Sequence, residues 1–364
     1  MAFTSIIGQK RVIAMLERAL KSNRLPHALL FHGPEGTGKE AMAIELAKGL
    51  FCQVDPIYCD HCGDCKRVAN LSHPDLMVIF PAPKQPKPEE LQFVMDSMIK
   101  NPYYRAQLWA TPMILIDQIR NLKKKVTMTS YENKGHVVLI FDAHRMTAEA
   151  ANALLKILEE PIGKLTMVLV SSQANLLLPT IVSRCQQIRF DPIPWQDIEN
   201  GLIKRQSLDP KQAQMVARMS FGSYRRALEL LDENVDQKQQ LMIEMLRKVL
   251  LSDLDILAMA EGLVNQQEKR TIKDLLALML VWFRDAMIME LLGNESDYKE
   301  KIINIEYLET LKKFTSILDR IDYERVIAMI EQAIDAIDRN VYINLVVLRL
   351  MFELKKLLRR KSHV

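Results

Sequence analysis

His27-Ala28-Leu29-Leu30-Phe31-His32-Gly33-Pro34-Glu35-Gly36-Thr37-Gly38-Lys39-Glu40 is the stretch that decides the fold. Ala28 to Phe31 is a short apolar run of the kind buried in a parallel sheet. Gly33, Gly36, Thr37, Gly38 and Lys39 follow with GxxxxGK spacing, and Ala41 to Leu50 then reads as a helix. In that order the segments form a phosphate cradle: glycines let backbone N–H groups converge at a positive helix end, and Lys39 reaches the β and γ phosphates. One position departs from the pattern. A Ser or Thr hydroxyl should follow the lysine to hold Mg²⁺, and Glu40 puts a carboxylate there instead. A unit charge about 4 Å from a phosphate is worth roughly 4 kcal/mol at an effective dielectric of 20.

Two more apolar runs, Val137 to Phe141 and Met167 to Val170, repeat the strand pattern. Between them Ala150, Ala153, Leu154, Ile157 and Leu158 share one helix face, with Thr147 as N-cap and Pro161 as terminator, so a βαβ unit is predicted. The second run ends in Phe141-Asp142-Ala143-His144, where a P-loop ATPase carries Asp then Glu. Asp142 is placed for Mg²⁺, while Ala143 stands where the water-polarising Glu belongs, a role worth roughly 10² to 10⁴ in rate. Glu40 and Ala143 both argue against tight Mg·ATP binding and turnover. Whether the cradle still takes nucleotide or survives as a structural turn stays open. Ser171-Ser172 follows the third run, where phosphate could be sensed, with nothing else to support that role.

Cys52-x6-Cys59-x2-Cys62-x2-Cys65 gathers four of the chain's 5 cysteines. Four soft ligands at this spacing fit tetrahedral Zn²⁺ with no open position, so the expected metal is structural. Free thiols and, less well, an iron–sulfur cluster are the alternatives.

At 364 residues, 49% hydrophobic and 26% charged, the chain has material for two or three domains and is neither disordered nor a disulfide scaffold. A net charge of +4 does not identify a nucleic-acid binder. No apolar stretch suggests a signal peptide or a membrane span, so a cytoplasmic protein is expected. All 15 prolines lie at or before Pro210, which predicts an almost wholly helical C-terminal part, where Ile327, Ile330, Ile334 and Ile337 keep helical spacing. Pro81 to Pro88 reads as an exposed, extended loop opening an insertion before a helix over Ile114 to Lys125. Arg120 with Lys123, Lys124 and Lys125 makes a basic helix face, either solvated or a phosphate contact.

Ile7-Gly8-Gln9, the strand into Gly33 to Lys39, the four cysteines, Asp142, Ala151 to Pro161 and Ser183-Arg184-Cys185 together resemble, in order and spacing, the bacterial replicative clamp loader subunits of the AAA+ class. The departures at Glu40 and Ala143 are similar to the delta-prime type of DNA polymerase III, whose nucleotide site is degenerate, rather than to the gamma/tau motor. The motifs cover residues 1 to about 235. The resemblance implies an α/β P-loop core with a parallel sheet (1–190) carrying a zinc knob (52–65). A helical lid (191–234) and an all-α collar (235–364) for oligomerisation would follow. It implies that Arg184 acts in trans as an arginine finger, and that Arg225, in Gly222-Ser223-Tyr224-Arg225, is the counterpart of the second sensor arginine. It also implies a stator in a hetero-pentamer with gamma/tau and delta subunits, loading a sliding clamp on primed DNA. The alternatives are a gamma/tau-like ATPase motor and a nucleic-acid-binding module using the knob and the lysine run. Pro81 to Pro112 is longer than the family pattern, and the sequence assigns it no role.

Overall fold

A computed structural model describes residues 3–54, 58–106, 108–131, 134–161, 163–231, 235–299, 301–318, 321–339 and 341–358. In chain order the helices and strands of the first part are α1 (Lys10–Lys21), β1 (Ala28–His32), α2 (Lys39–Phe51), α3 (Gly63–Ala69), β2 (Leu76–Ile79), α4 (Pro88–Lys100), α5 (Ile116–Val126), β3 (His136–Ile140), α6 (Ala148–Glu159), β4 (Leu165–Ser171), α7 (Pro179–Val182), β5 (Gln186–Arg189) and α8 (Trp195–Gln206). Helices alone follow: α9 (Pro210–Met219), α10 (Tyr224–Leu231), α11 (Val235–Val249), α12 (Asp253–Gln266), α13 (Lys269–Leu292), α14 (Glu295–Lys299), α15 (Leu308–Ile317), α16 (Tyr323–Asp338) and α17 (Ile343–Leu357).

The five strands form one parallel sheet in the order β2-β3-β4-β1-β5. Leu30 lies opposite Leu169 on one side and Gln187 on the other, so β1 is an interior strand. Its Ala28 to Phe31 run is fully buried because crossover helices cover a parallel sheet on both faces. The three predicted runs are β1, β3 and β4. Two further strands stand beside them: β2, on the Leu76 to Phe80 run, is one the sequence pattern does not separate from its surroundings. The other is β5, an edge strand in which only Ile188 is buried and no apolar run exists to be read. Thr147 caps α6 by accepting from the Ala150 N–H at 3.3 Å, and Ala150, Leu154, Ile157 and Leu158 bury the predicted face. This is the predicted α/β core built on a parallel sheet, followed by helices.

Pro81 to Pro88 is the expected loop, with Lys84, Gln85, Lys87 and Pro88 exposed, but its first two residues are not solvated. Pro81 and Ala82 are buried, and Ala82 pairs with Met113, because the segment closes a loop against the core before Pro88 opens α4 as an N-terminal proline.

Two compact units divide the chain: Met1–Leu208 with Ser220–Leu228, and Asp209–Met219 with Glu229–Val364. The second is held by packing of α13 on α16 and α11, and of α12 on α17. Within it the buried Asp285 carboxylate accepts from the Ile303 and Asn304 N–H groups, each at 2.9 Å. No helix among the described residues is long and apolar enough to cross a membrane.

Candidate functional site

The carboxyl ends of β1, β3 and β4 carry Gly33, Asp142 and Ser171, the end of an open α/β sheet where ligands bind. Gly38 caps α2 at φ 88°, and Gly36 stands at φ 70°. Both are left-handed positions that favour glycine. A Cβ on Gly36 would also collide with Ser223 Oγ, and the Gly36 carbonyl accepts from the Tyr224 N–H at 2.9 Å, which ties the 220–228 segment onto the loop.

Lys39 does not point outward. Its Nζ donates to the carbonyls of Gly33, at 2.9 Å, and Pro34, and sits 3.4 Å from Thr37 Oγ1. Burial pushes its pKa down to about 8, with the charge of Glu40 working against that shift. Glu40 is paired twice: Oε2 with Arg225 Nη2 at 2.8 Å, and Oε1 with Arg105 Nη1 at 3.3 Å. The other arm of Arg105 donates to Asp142 Oδ2. Burial pushes the Asp142 carboxyl up, but the Arg105 guanidinium, then His144 and Arg225, hold it below the ordinary carboxylate value. Asp142–Arg105–Glu40–Arg225 is therefore a continuous chain of alternating charges across the cradle.

Tyr103 completes the closure. It is buried, its hydroxyl accepts from the Ile7 N–H at 2.6 Å, and its carbonyl accepts from Arg225 Nε at 3.1 Å. A Cβ added at Gly38 would lie 2.9 Å from its ring. The enclosed part of the cavity left between the loop, Tyr103, Asp142 and Ser172 is about 20 Å³, room for about one water.

The structure thus brings together Gly33, Gly36, Thr37, Gly38, Lys39, Glu40, Asp142 and Arg225, all singled out in the sequence. It adds Tyr103 and Arg105, which were not. The clue lay in Glu40: a carboxylate in a phosphate cradle demands a cation, and the arginines that answer follow tyrosines in Tyr103-Tyr104-Arg105 and Tyr224-Arg225. Ser171 Oγ is 3.2 Å from His144 Nδ1, a pairing inside the fold. Arg184 stands apart. It lies just after α7, pairs with Glu159 at 2.7 Å and donates to the Thr180 carbonyl at 3.0 Å, both partners outside the phosphate loop.

The four cysteines converge as their spacing predicts. Tetrahedral Zn²⁺ with bonds of about 2.3 Å needs sulfurs about 3.8 Å apart. Cys52 Sγ is 3.9 Å from both Cys59 Sγ and Cys62 Sγ, and all four sulfurs lie within 4.8 Å of one another. The Cys62 N–H donates to Cys59 Sγ at 3.3 Å and the Cys65 N–H to Cys62 Sγ at 3.5 Å, bonds that stabilise the sulfurs as thiolates. The set fits a structural zinc. Lys48 fastens it to α2 by pairing with Glu45 at 2.9 Å and with Asp60 at 2.7 Å. On the other side Lys134 spans Asp64, at 2.6 Å, and the Phe51 carbonyl, at 3.0 Å.

A parallel-sheet domain with a P-loop-like phosphate cradle closed by its own arginines, and with a four-cysteine knob after the cradle helix, defines a P-loop-type protein with an altered cradle. The chain belongs to the family whose model, described as DNA polymerase III, delta subunit, matches residues 8–194, just over half of it, and it is of the delta-prime type. It is 35% identical over 225 residues to the Bacillus subtilis DNA polymerase III subunit delta', covering 61% of this chain and 59% of that one. It is 34% identical over 241 residues to the Pseudomonas aeruginosa subunit delta', covering 65% of each. The B. subtilis subunit tau is 29% identical over 240 residues, 64% of this chain and 38% of tau. The chain spans about three-fifths of the length of the delta' relatives it matches. A Thermotoga maritima gamma subunit-related protein superposes with a TM-score of 0.40 at 15% identity, over 94% of this chain and 99% of that one.

Proposed function

We propose that this chain is a non-hydrolysing, delta-prime-like stator of a DNA polymerase III clamp loader. The observation that carries the reading is the cradle itself: Arg105 and Arg225 hold Glu40, and Arg105 holds Asp142, so the groups that would serve a phosphate and its metal are paired with one another. With no general base at Ala143, such a site contributes structure to a ring and leaves ATP turnover to other subunits. In this reading residues 1–190, 191–234 and 235–364 act as core, lid and collar. The collar joins gamma/tau and delta subunits in a hetero-pentamer, the ring opens a sliding clamp and loads it on primed DNA, and the protein works in the cytoplasm.

Arg184 is the group this chain would lend to its neighbour. Its side chain is 37% exposed and its partner Glu159 49%, so the pair is screened by solvent and exchangeable for a phosphate. An arginine finger is worth roughly 10³ to 10⁵ in rate at the site it serves. Arg184→Ala should leave the chain folded and cut DNA-stimulated ATPase of the reconstituted ring; an unchanged ATPase would sink the assignment.

As the counterpart of the second sensor arginine, Arg225 would serve a bound nucleotide, which is where a retained ATP site and the motor alternative would need it. Its pairing with Glu40 supplies another use. Lys39→Ala in this chain should leave ring ATPase intact, and a collapse of turnover would favour the motor.

A further inference from the structure

We propose that Arg105 is a built-in replacement for the divalent cation, delivered by the insertion between β2 and α5 and fixed in the position the metal takes in a working P-loop. In P-loop enzymes Mg²⁺ is gripped from two places, the residue after the loop lysine and the acid at the end of the neighbouring strand. Here those places are Glu40 and Asp142, and one guanidinium spans them: Nη1 lies 3.3 Å from Glu40 Oε1 and Nη2 donates to Asp142 Oδ2. The inference rests on reading the site as degenerate and says how it became so.

The chemistry of the substitution is self-consistent. A metal needs a neutral hydroxyl after the lysine because the phosphates bring the negative charge; with no phosphate, a carboxylate at that position supplies the counter-charge instead. A guanidinium is permanently charged, planar and forked, so it can face two carboxylates at once, as a point-charged ammonium cannot. Glu40 is then the partner of the insertion, not a damaged motif residue. The remaining groups lock the arrangement. Arg225 takes the other Glu40 oxygen at 2.8 Å, and its Nε donates to the Tyr103 carbonyl at 3.1 Å, holding the segment that carries Arg105. Lys39, Arg105 and Arg225 set three positive groups against Glu35, Glu40 and Asp142, so the carboxylates are already neutralised and a divalent ion entering beside them finds no net negative charge to bind. Metal and Arg105 should be mutually exclusive.

The test uses the full chain, zinc-replete so that the thiolates are already filled, with Mn²⁺ followed by electron paramagnetic resonance as the probe. Mn²⁺ suits the oxygen ligands in question. The native protein should show no site that depends on Asp142. Arg105→Ala leaves Glu40 and Asp142 facing an open position, and should gain Mn²⁺ affinity by at least about tenfold. That gain should vanish in Arg105→Ala/Asp142→Asn and be absent in Arg105→Lys, which keeps the charge. Added Mn²⁺ should raise the melting temperature of Arg105→Ala and leave that of the native chain unmoved. Arg105→Gln carries the same comparison if the alanine variant does not fold. Asp142-dependent Mn²⁺ binding by the native chain, or no gain on removing Arg105, overturns the proposal. No neighbouring subunit takes part in these measurements, so they can succeed while the Arg184 test fails, and the reverse.

Discussion

Asp142 keeps its charge in a place where burial alone would neutralise it, because Arg105 lies against it. Its folded pKa is below the ordinary 3.8, so it contributes stability that is present above that value and lost as the pH falls through the folded value. Asp142→Asn removes this contribution. The variant should be less stable than the native chain by roughly 2 to 4 kcal/mol near neutrality, since removing one partner strands the other charge. The gap should narrow as the pH drops from about 5 through the carboxylate range. Chemical denaturation of both proteins across that range measures it, and a gap constant with pH would show that Asp142 is held some other way. At this scale the sequence is a good guide to which residues matter and a poor one to how. Lys39, Glu40, Asp142 and Arg225 were all legible from motif position. Their partnership was not, because Arg105 meets Asp142 across 37 residues of chain and Arg225 meets Glu40 across 185, separations that no local pattern encodes.

Elements enter where the cradle helix meets the insertion. Gly38 begins α2 at φ 88°, and Tyr103 packs directly over it. Gly38→Ala would force a side chain into a left-handed conformation, costing about 1 to 2 kcal/mol, and displace a buried ring besides. A loss of roughly 2 kcal/mol or more is expected in urea unfolding, and a midpoint unchanged from the native chain would mean that Tyr103 is free to move away. The βαβ unit was readable because β1, β3 and β4 are apolar runs and α6 keeps one buried face between Thr147 and Pro161. The insertion was not, because its proline-rich opening looks solvated. The buried work is done further on, by Tyr103 and Arg105 in a turn after α4 whose burial depends wholly on tertiary partners. Likewise β5 is a strand only because β1 offers it an unpaired edge.

The whole molecule consists of two compact units, and the chain passes between them three times, since 209–219 belongs to the second unit and 220–228 returns to the first. The return carries Ser223, Tyr224 and Arg225 onto the phosphate loop, so the cradle is completed by residues that follow an excursion through the other unit. The four-cysteine knob belongs to the first unit alone: Lys48 and Lys134 bind it to α2 and to the Phe51 carbonyl. Metal is part of the folding free energy of whatever it closes, and local openings in a protein are confined to cooperative parts. Stripping the zinc with a chelator should therefore raise amide exchange in the knob, in α3 and in the last turns of α2, measured by mass spectrometry on the full chain. Peptides from α13 and α16, whose cores of Leu275, Leu276, Phe283, Val326 and Ile330 lie in the second unit, should keep their protection. Equal loss in both units would mean that the knob supports the entire fold. Loss confined to the first would make the metal a local clamp on the segment that follows the cradle helix, removable without disturbing the helices of the second unit.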